Sequence, residues 1–293
     1  MSKAISYNDV KIIDKKAIKI GDPVFDNFIS EQGGIELATM ISIAGTPGAG
    51  KTTLCKKLQK DLGGHNESIF FSLESRKSSV ARQTSRISTG VNEKICDVDD
   101  FQTWKSFMEY IYEAKPLMVI VDSLQHAATL LSNENGKHKY DNYKNIVKDL
   151  YDWKDVTRGV VVLIVQLNGK GDVEGPMATI FDVDCPIFLT ANPKTNERTM
   201  HTEKNRMGPI GKIYYEFVND DRCFKFTSEK EWNSTESKEM ISINLLKDVT
   251  AFIKSTENLD KNKFKKLKSK LDKISSDDYI DCAIKMLEIY QEN

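Results

Sequence analysis

The sequence predicts an α/β fold: a mainly parallel central sheet flanked by helices, followed by a small C-terminal helical region. Three observations predict it. From residue 37 onward, β-branched or aromatic runs alternate with helix-patterned stretches. Several of those runs are continuously apolar, as strands buried on both faces are. A glycine-rich turn, GTPGAGKT at 45–52, joins the first run to a helical stretch, as expected at a βα junction of a parallel sheet.

The elements follow in order. Residues 1–36 read as an extended or partly helical lead-in, broken at Gly21-Asp22-Pro23, with Phe25 and Phe28 docking on the core. A core over 37–227 has strands at 38–44, 68–73, 117–121, 159–166, 185–190, 198–203, 212–218 and 222–226. Helices are expected near 52–62, 76–88, 101–114 and 140–156. In 101–114, the stripe Phe101, Trp104, Met108, Ile111 and Tyr112 reads as core packing. The last strands, over 198–226, are separated by short turns and read as an antiparallel extension. Residues 228–293 read as a helical appendage. Its stretch 261–274 carries one apolar stripe (Phe264, Leu267, Leu271, Ile274) amid seven lysines, and a last helix lies near 277–290. The lysines suit DNA phosphates or an acidic partner, and equally a solvated face of a small bundle.

Composition narrows the classes. At 293 residues, 40% hydrophobic and 29% charged, the chain is long enough for one large or two smaller domains. A formal charge of −1 gives no global basic field, so any nucleic-acid contact must be a local patch. Five scattered cysteines without a C-x-x-C pair fit neither a zinc module nor a disulfide framework, and suit a reducing cytoplasm. No apolar run approaches the roughly 20 residues of a membrane span, and MSKAISYNDV does not read as a signal peptide. A cytoplasmic protein without membrane contact is expected.

The turn at 45–52 fits G-x-x-x-x-G-K-[ST], the phosphate-binding P-loop pattern. The backbone of Gly45, Thr46, Pro47, Gly48, Ala49 and Gly50 would wrap phosphate oxygens, with Thr52 and Thr53 opening the next helix at its positive end. Lys51 would reach the β- and γ-phosphates, and the Thr52 hydroxyl would hold Mg²⁺. Downstream, strand 68–73 ends at Glu74, placed to orient an attacking water or, alternatively, to cap the next helix. Strand 117–121 ends at Asp122, a second Mg²⁺ ligand in the Walker B manner or else a helix cap. Strand 159–166 delivers Gln166 to the same edge as a γ-phosphate sensor, leading into a glycine-rich loop at 168–178. That loop reads equally as a polymer contact and as a plain connection. In EKNRMGPIG, 203–211, Lys204 and Arg206 sit on a hairpin poorly placed to serve their own P-loop. They suit a neighbour's nucleotide, with Arg206 as an arginine finger, although by pattern alone the segment is a solvated turn.

In that order, over residues 20–226, these motifs resemble the RecA superfamily of P-loop ATPases, most closely its RadA/Sms and DnaB-type helicase branch. GDPVFDNFISEQGGIELATMISIAGTPGAGKTT is similar to that branch's entry segment. FFSLES resembles the segment of its catalytic glutamate, LMVIVDSLQ its Walker B strand, and VVLIVQLNGKG its sensor strand. EKNRMGPIG is similar to the RadA K-N-R-F-G motif, with Met207 where RadA has phenylalanine, and to the DnaB K-x-R-N-G-P-x-G segment. The RadA zinc module and Lon-like domain, and the DnaB N-terminal helical domain, have no counterpart in this sequence. The resemblance implies ATP and Mg²⁺ and a homo-oligomeric ring, a hexamer, or a filament on single-stranded DNA. It also implies roles in trans for Lys204 and Arg206, and a helicase, recombination or repair function. A KaiC-like oligomeric ATPase acting on proteins is the alternative, and the C-terminal helices are a candidate docking site for a loader or primase.

Overall fold

The computed structural model describes residues 16–63, 67–83, 85, 87, 92–167, 182–192, 197–218 and 223–233. The loop expected at 168–178 and the helices expected beyond 233 lie outside the described residues. The chain divides into two compact units, 1–227 and 228–293, and the site lies in the first.

Chain order begins with β1 (Ala17–Ile18), α1 (Pro23–Ile29) and β2 (Ile35–Glu36). β1 and β2 pair antiparallel. The break at Gly21-Asp22-Pro23 is a helix start. Asp22 is the N-cap of α1, accepting from the amides of Val24 and Phe25, and Pro23 sits where its missing N–H costs nothing. Phe25, Phe28 and Ile29 are buried in the main core, so this part of the lead-in is structural.

The order continues with β3 (Met40–Gly45), α2 (Lys51–Gly63), β4 (Ser68–Ser72), α3 (Lys77–Gln83), β5 (Glu93–Asp97) and α4 (Trp104–Ala114). Next come β6 (Met118–Asp122), α5 (Leu124–Asn135), α6 (Lys139–Thr157), β7 (Val160–Gln166) and β8 (Cys185–Ala191). β9 (Arg198–Thr202), β10 (Gly211–Phe217) and β11 (Phe224–Ser228) close the series. Among the described residues, nine strands form one sheet in the order β11-β10-β9-β8-β3-β7-β6-β4-β5. From β8 to β5 every neighbouring pair is parallel. β9 turns back antiparallel on β8, and β10 on β9.

Strand alternation divides the core into two layers. Ile41, Ile43, Ile120, Val162 and Ile164 face one cluster, shared with Leu54, Leu58 and Leu62 of α2. Ala44, Val119, Val121, Val161 and Leu163 face the other, under α4, α5 and α6. Three expectations need correction. The helix expected from 101 starts at Trp104, because Thr103 caps it through the Ser106 amide. Phe101 precedes that helix, although it packs on the same cluster. Tyr112 stands outside the buried stripe, at 38% exposure, and Phe107 takes the position in its place. β5 and α5 are elements that the sequence pattern did not give away.

Candidate nucleotide site at the carboxyl edge of the sheet

Parallel strands deliver their carboxyl ends to one edge, and four of the expected groups arrive there on separate strands. β3 ends at Gly45 and opens the P-loop. A Cβ at Gly45 would lie 2.7 Å from the Leu189 carbonyl oxygen, so β8 leaves no room for a side chain. Gly48 and Gly50 have φ of 80° and 96°, a left-handed backbone that turns the loop before α2 begins at Lys51.

The register β3-β7-β6-β4 then sets the neighbours. Gly45 pairs with Gln166, and Asp122 with Ser72. The amides of Leu73 and Glu74 both donate to the Asp122 carbonyl, at 2.6 and 3.1 Å, stitching the tips of β4 and β6. Thr52 Oγ1 donates to Asp122 Oδ2 at 3.3 Å. Gln166 Nε2 donates to Glu74 Oε2 at 2.8 Å, across 92 residues of sequence. Lys51 Nζ donates to the carbonyls of Gly45 and Thr46, at 2.6 and 3.2 Å. Lys51, Thr52, Glu74, Asp122 and Gln166 line one cavity of about 770 Å³ with Pro47 and Phe217.

The electrostatics are those of an under-compensated acid. Burial, then the nearby Glu74 carboxylate, pushes the Asp122 pKa up to about 6, against the pull of Thr52 and Lys51. Burial pulls Lys51 below the usual lysine value, while Asp122 and Glu74 hold it up. A hydroxyl and a buried carboxylate oxygen 3.3 Å apart are hard donors, and their surplus negative charge fits Mg²⁺.

Sequence reasoning missed several side chains at this edge. Gln125 on α5 donates to the Gln166 carbonyl and accepts from the Gln166 amide, both at 3.2 Å, fixing the strand tip that carries Gln166. Tyr215 donates to the Ala49 carbonyl at 2.6 Å from beneath the loop. Arg198, at the start of β9, donates to the Gly48 carbonyl at 3.3 Å and lies 4.7 Å over the Phe217 ring. No motif marks these residues. The alternation Ile213, Tyr215, Phe217 in β10 was the available signal, since it puts three large side chains on one face.

Lys204 and Arg206 are elsewhere. β9 runs antiparallel to β8, so its first residue, Arg198, meets the P-loop edge and its last, Thr202, meets the opposite edge. There Lys204 Nζ donates to the Val183 carbonyl at 2.8 Å, and Arg206 Nη1 lies 3.3 Å from Asp184 Oδ1. Burial, then the Arg206 charge, lowers the Lys204 pKa. The chain does not bring these two cations to its own phosphate loop.

Comparisons with known proteins agree with this geometry. A family model described as an AAA domain matches residues 35–168. "DNA repair protein RadA" of Haemophilus influenzae is 24% identical over 194 residues, covering 62% of this chain and 39% of that protein. Its Escherichia coli counterpart is 22% identical over 226 residues, covering 73% and 45%. The chain spans less than half the length of the curated relatives it matches. Among solved structures, a KaiC-like protein from the archaeon Pyrococcus horikoshii aligns with a TM-score of 0.58 at 18% identity, covering 73% of this chain and 99% of that one. Among the described residues no helix is long and apolar enough to cross a membrane. A phosphate loop and an acidic strand tip at the carboxyl edge of a parallel sheet, together with these likenesses, make the chain similar to RecA-type P-loop ATPases, with RadA among its relatives.

Proposed function

We propose that the protein is an oligomeric DNA-dependent ATPase that binds single-stranded DNA. Hydrolysis would drive translocation, unwinding or strand remodelling in replication, recombination or repair. One observation carries the reading. Lys51, Thr52, Glu74, Asp122 and Gln166 converge on one cavity, while Lys204 and Arg206 sit at the other edge of the sheet. Among the described residues, the cations at this edge, Lys51 and Arg198, are engaged with carbonyls of the phosphate loop, which leaves transition-state charge for a second copy to meet.

In the proposed cycle, the P-loop amides and Lys51 bind the β- and γ-phosphates of ATP. Glu74 orients a water and takes its proton as the oxygen attacks the γ-phosphorus. The bond from that phosphorus to the ADP oxygen breaks, and the charge left on ADP is met by Lys51 and by Arg206 and Lys204 of the neighbouring copy. Thr52 and Asp122 are the residues that would hold Mg²⁺, which when bound neutralises phosphate charge. Gln166 holds Glu74 through its amide, and the strand it ends leads into 168–178, the proposed DNA-facing loop.

DNA as the partner is supported by the relatives' name, DNA repair protein RadA, and a cytoplasmic hexameric ring or filament fits that setting. The C-terminal region is proposed to recruit a protein partner. A KaiC-like ATPase acting on proteins without DNA is the second reading, favoured by the formal charge of −1. ATPase rate with and without single-stranded DNA separates the two. Stimulation supports the first, and an unchanged rate at saturating DNA supports the second.

A further inference from the structure

Arg206 is held at both its backbone and its guanidinium. On the backbone side, the Arg206 amide donates to the Asp184 carbonyl at 3.0 Å. The adjoining Asn205 side chain donates to the carbonyls of Ile29 and Pro209, at 3.1 and 3.2 Å, and accepts from the Met207 amide at 2.9 Å. The Glu31 amide donates to the Met207 carbonyl at 3.1 Å, and Met207 itself is buried. The hairpin is therefore pinned to the end of α1.

The side-chain hold is more specific. Asp184 Oδ1 lies 3.3 Å from Arg206 Nη1, and the Tyr151 hydroxyl oxygen lies 3.4 Å from the same nitrogen. Asp184 is itself fixed. Its Oδ2 accepts from the Met40 amide at 2.9 Å, at the start of β3, and the buried Lys154 ammonium lies 3.8 Å away. The Tyr151 hydroxyl donates to the Asp182 carbonyl at 2.9 Å and lies 3.3 Å from Asp184 Oδ1. Its ring packs under Lys154 at 4.2 Å. The Asp184 side chain is 10% exposed, whereas that of Arg206 is 57% exposed. Among the described residues only Nη1 of the guanidinium is engaged. A guanidinium has five N–H donors in a rigid fork, so an edge remains that can meet phosphate oxygens in pairs without breaking the Asp184 contact.

We propose that Asp184 and Tyr151 are positioning residues for Arg206, gripping one guanidinium nitrogen within their own chain so that the free edge points toward the nucleotide of a neighbouring copy. This rests on the shared-site reading above. A long arginine left unheld would have to be ordered at the moment of reaction. Here the ordering is built into the fold before the neighbour arrives, which lowers that cost. Buried neighbours that lock a functional side chain from behind serve the same end in metal sites.

The test compares Tyr151→Phe, Asp184→Asn and Arg206→Ala in the full chain, reading kcat and KM for MgATP, melting temperature and native mass. Arg206→Ala is expected to lose turnover. Asp184→Asn is expected to lower kcat about tenfold, and Tyr151→Phe about threefold, with KM and native mass unchanged. Mixed with Glu74→Ala chains, Asp184→Asn chains should regain turnover, because each defect then lies on a different side of the seam. Mixed with Arg206→Ala chains they should not, because both defects lie on the same side. Full turnover by Arg206→Ala would remove the shared-site reading and this inference with it. A dead Arg206→Ala beside unchanged or raised kcat in the other two would overturn this inference alone. Should Asp184→Asn fail to fold, Tyr151→Phe decides by the same kcat and KM criterion.

Discussion

Asp122 shows at the scale of one residue how a site is built at the expense of the fold. Its carboxylate is buried beside Glu74, and its pKa rises from 3.8 to about 6. The sign follows directly. A group whose folded value is raised contributes stability that is full below its unfolded value and lost as pH climbs through the folded one. Near pH 7.5 the ionised carboxylate therefore opposes the ligand-free fold. Asp122→Asn should raise the melting temperature of the ligand-free protein at pH 7.5 by the equivalent of about 1–3 kcal/mol. The gain should shrink toward pH 5, and thermal melts across pH measure it. The same variant should lose about a hundredfold in ATP turnover. If Asp122 holds Mg²⁺ as proposed, protons and the metal compete for one carboxylate, so magnesium affinity, measured by titrating ATPase rate, should fall as pH drops through about 6. At this scale the sequence showed which residue types sit at strand ends. The separation of Glu74 and Gln166 by 2.8 Å was not legible, because it depends on β6 alone lying between β4 and β7.

At the scale of elements, the buried parallel strands were the most legible, since β3, β6 and β7 are near-continuous apolar runs. β5 escaped because it is an edge strand, half exposed, with little more than Ile95 and Cys96 to mark it. α5 escaped because small Ala127 and Ala128 make its buried face, giving a weak stripe. The hairpin between β9 and β10 carries the element-scale prediction. A Cβ at Gly208 would lie 2.9 Å from Ser30 Cα, and backbone cannot give way as a side-chain tip does. Gly208→Ala should therefore push the hairpin off the end of α1. A loss of about 1–3 kcal/mol of stability is expected in denaturant unfolding. Turnover at a temperature where the variant is folded should also fall, since Arg206 moves with the hairpin. Unchanged turnover with lowered stability would mean that the hairpin's place does not matter to the chemistry.

At the scale of the whole molecule, the sheet separates two chemistries by its own direction. The P-loop, Glu74, Asp122 and Gln166 sit at the carboxyl edge, and the cationic hairpin sits at the amino edge, held by Asp184. Only an assembly in which one copy's amino edge meets the next copy's carboxyl edge joins them. On this account, turnover per chain should fall on dilution below the assembly concentration, with native mass falling in step. The central claim is tested most directly by mixing Arg206→Ala chains with Glu74→Ala chains, each inactive alone, and measuring ATP turnover across the mixing ratio. The account predicts activity that rises to a maximum at intermediate ratios, because some seams then pair an intact loop with an intact hairpin. Turnover that stays at the level of the separate variants at every ratio, in mixtures shown by native mass to co-assemble, would contradict it.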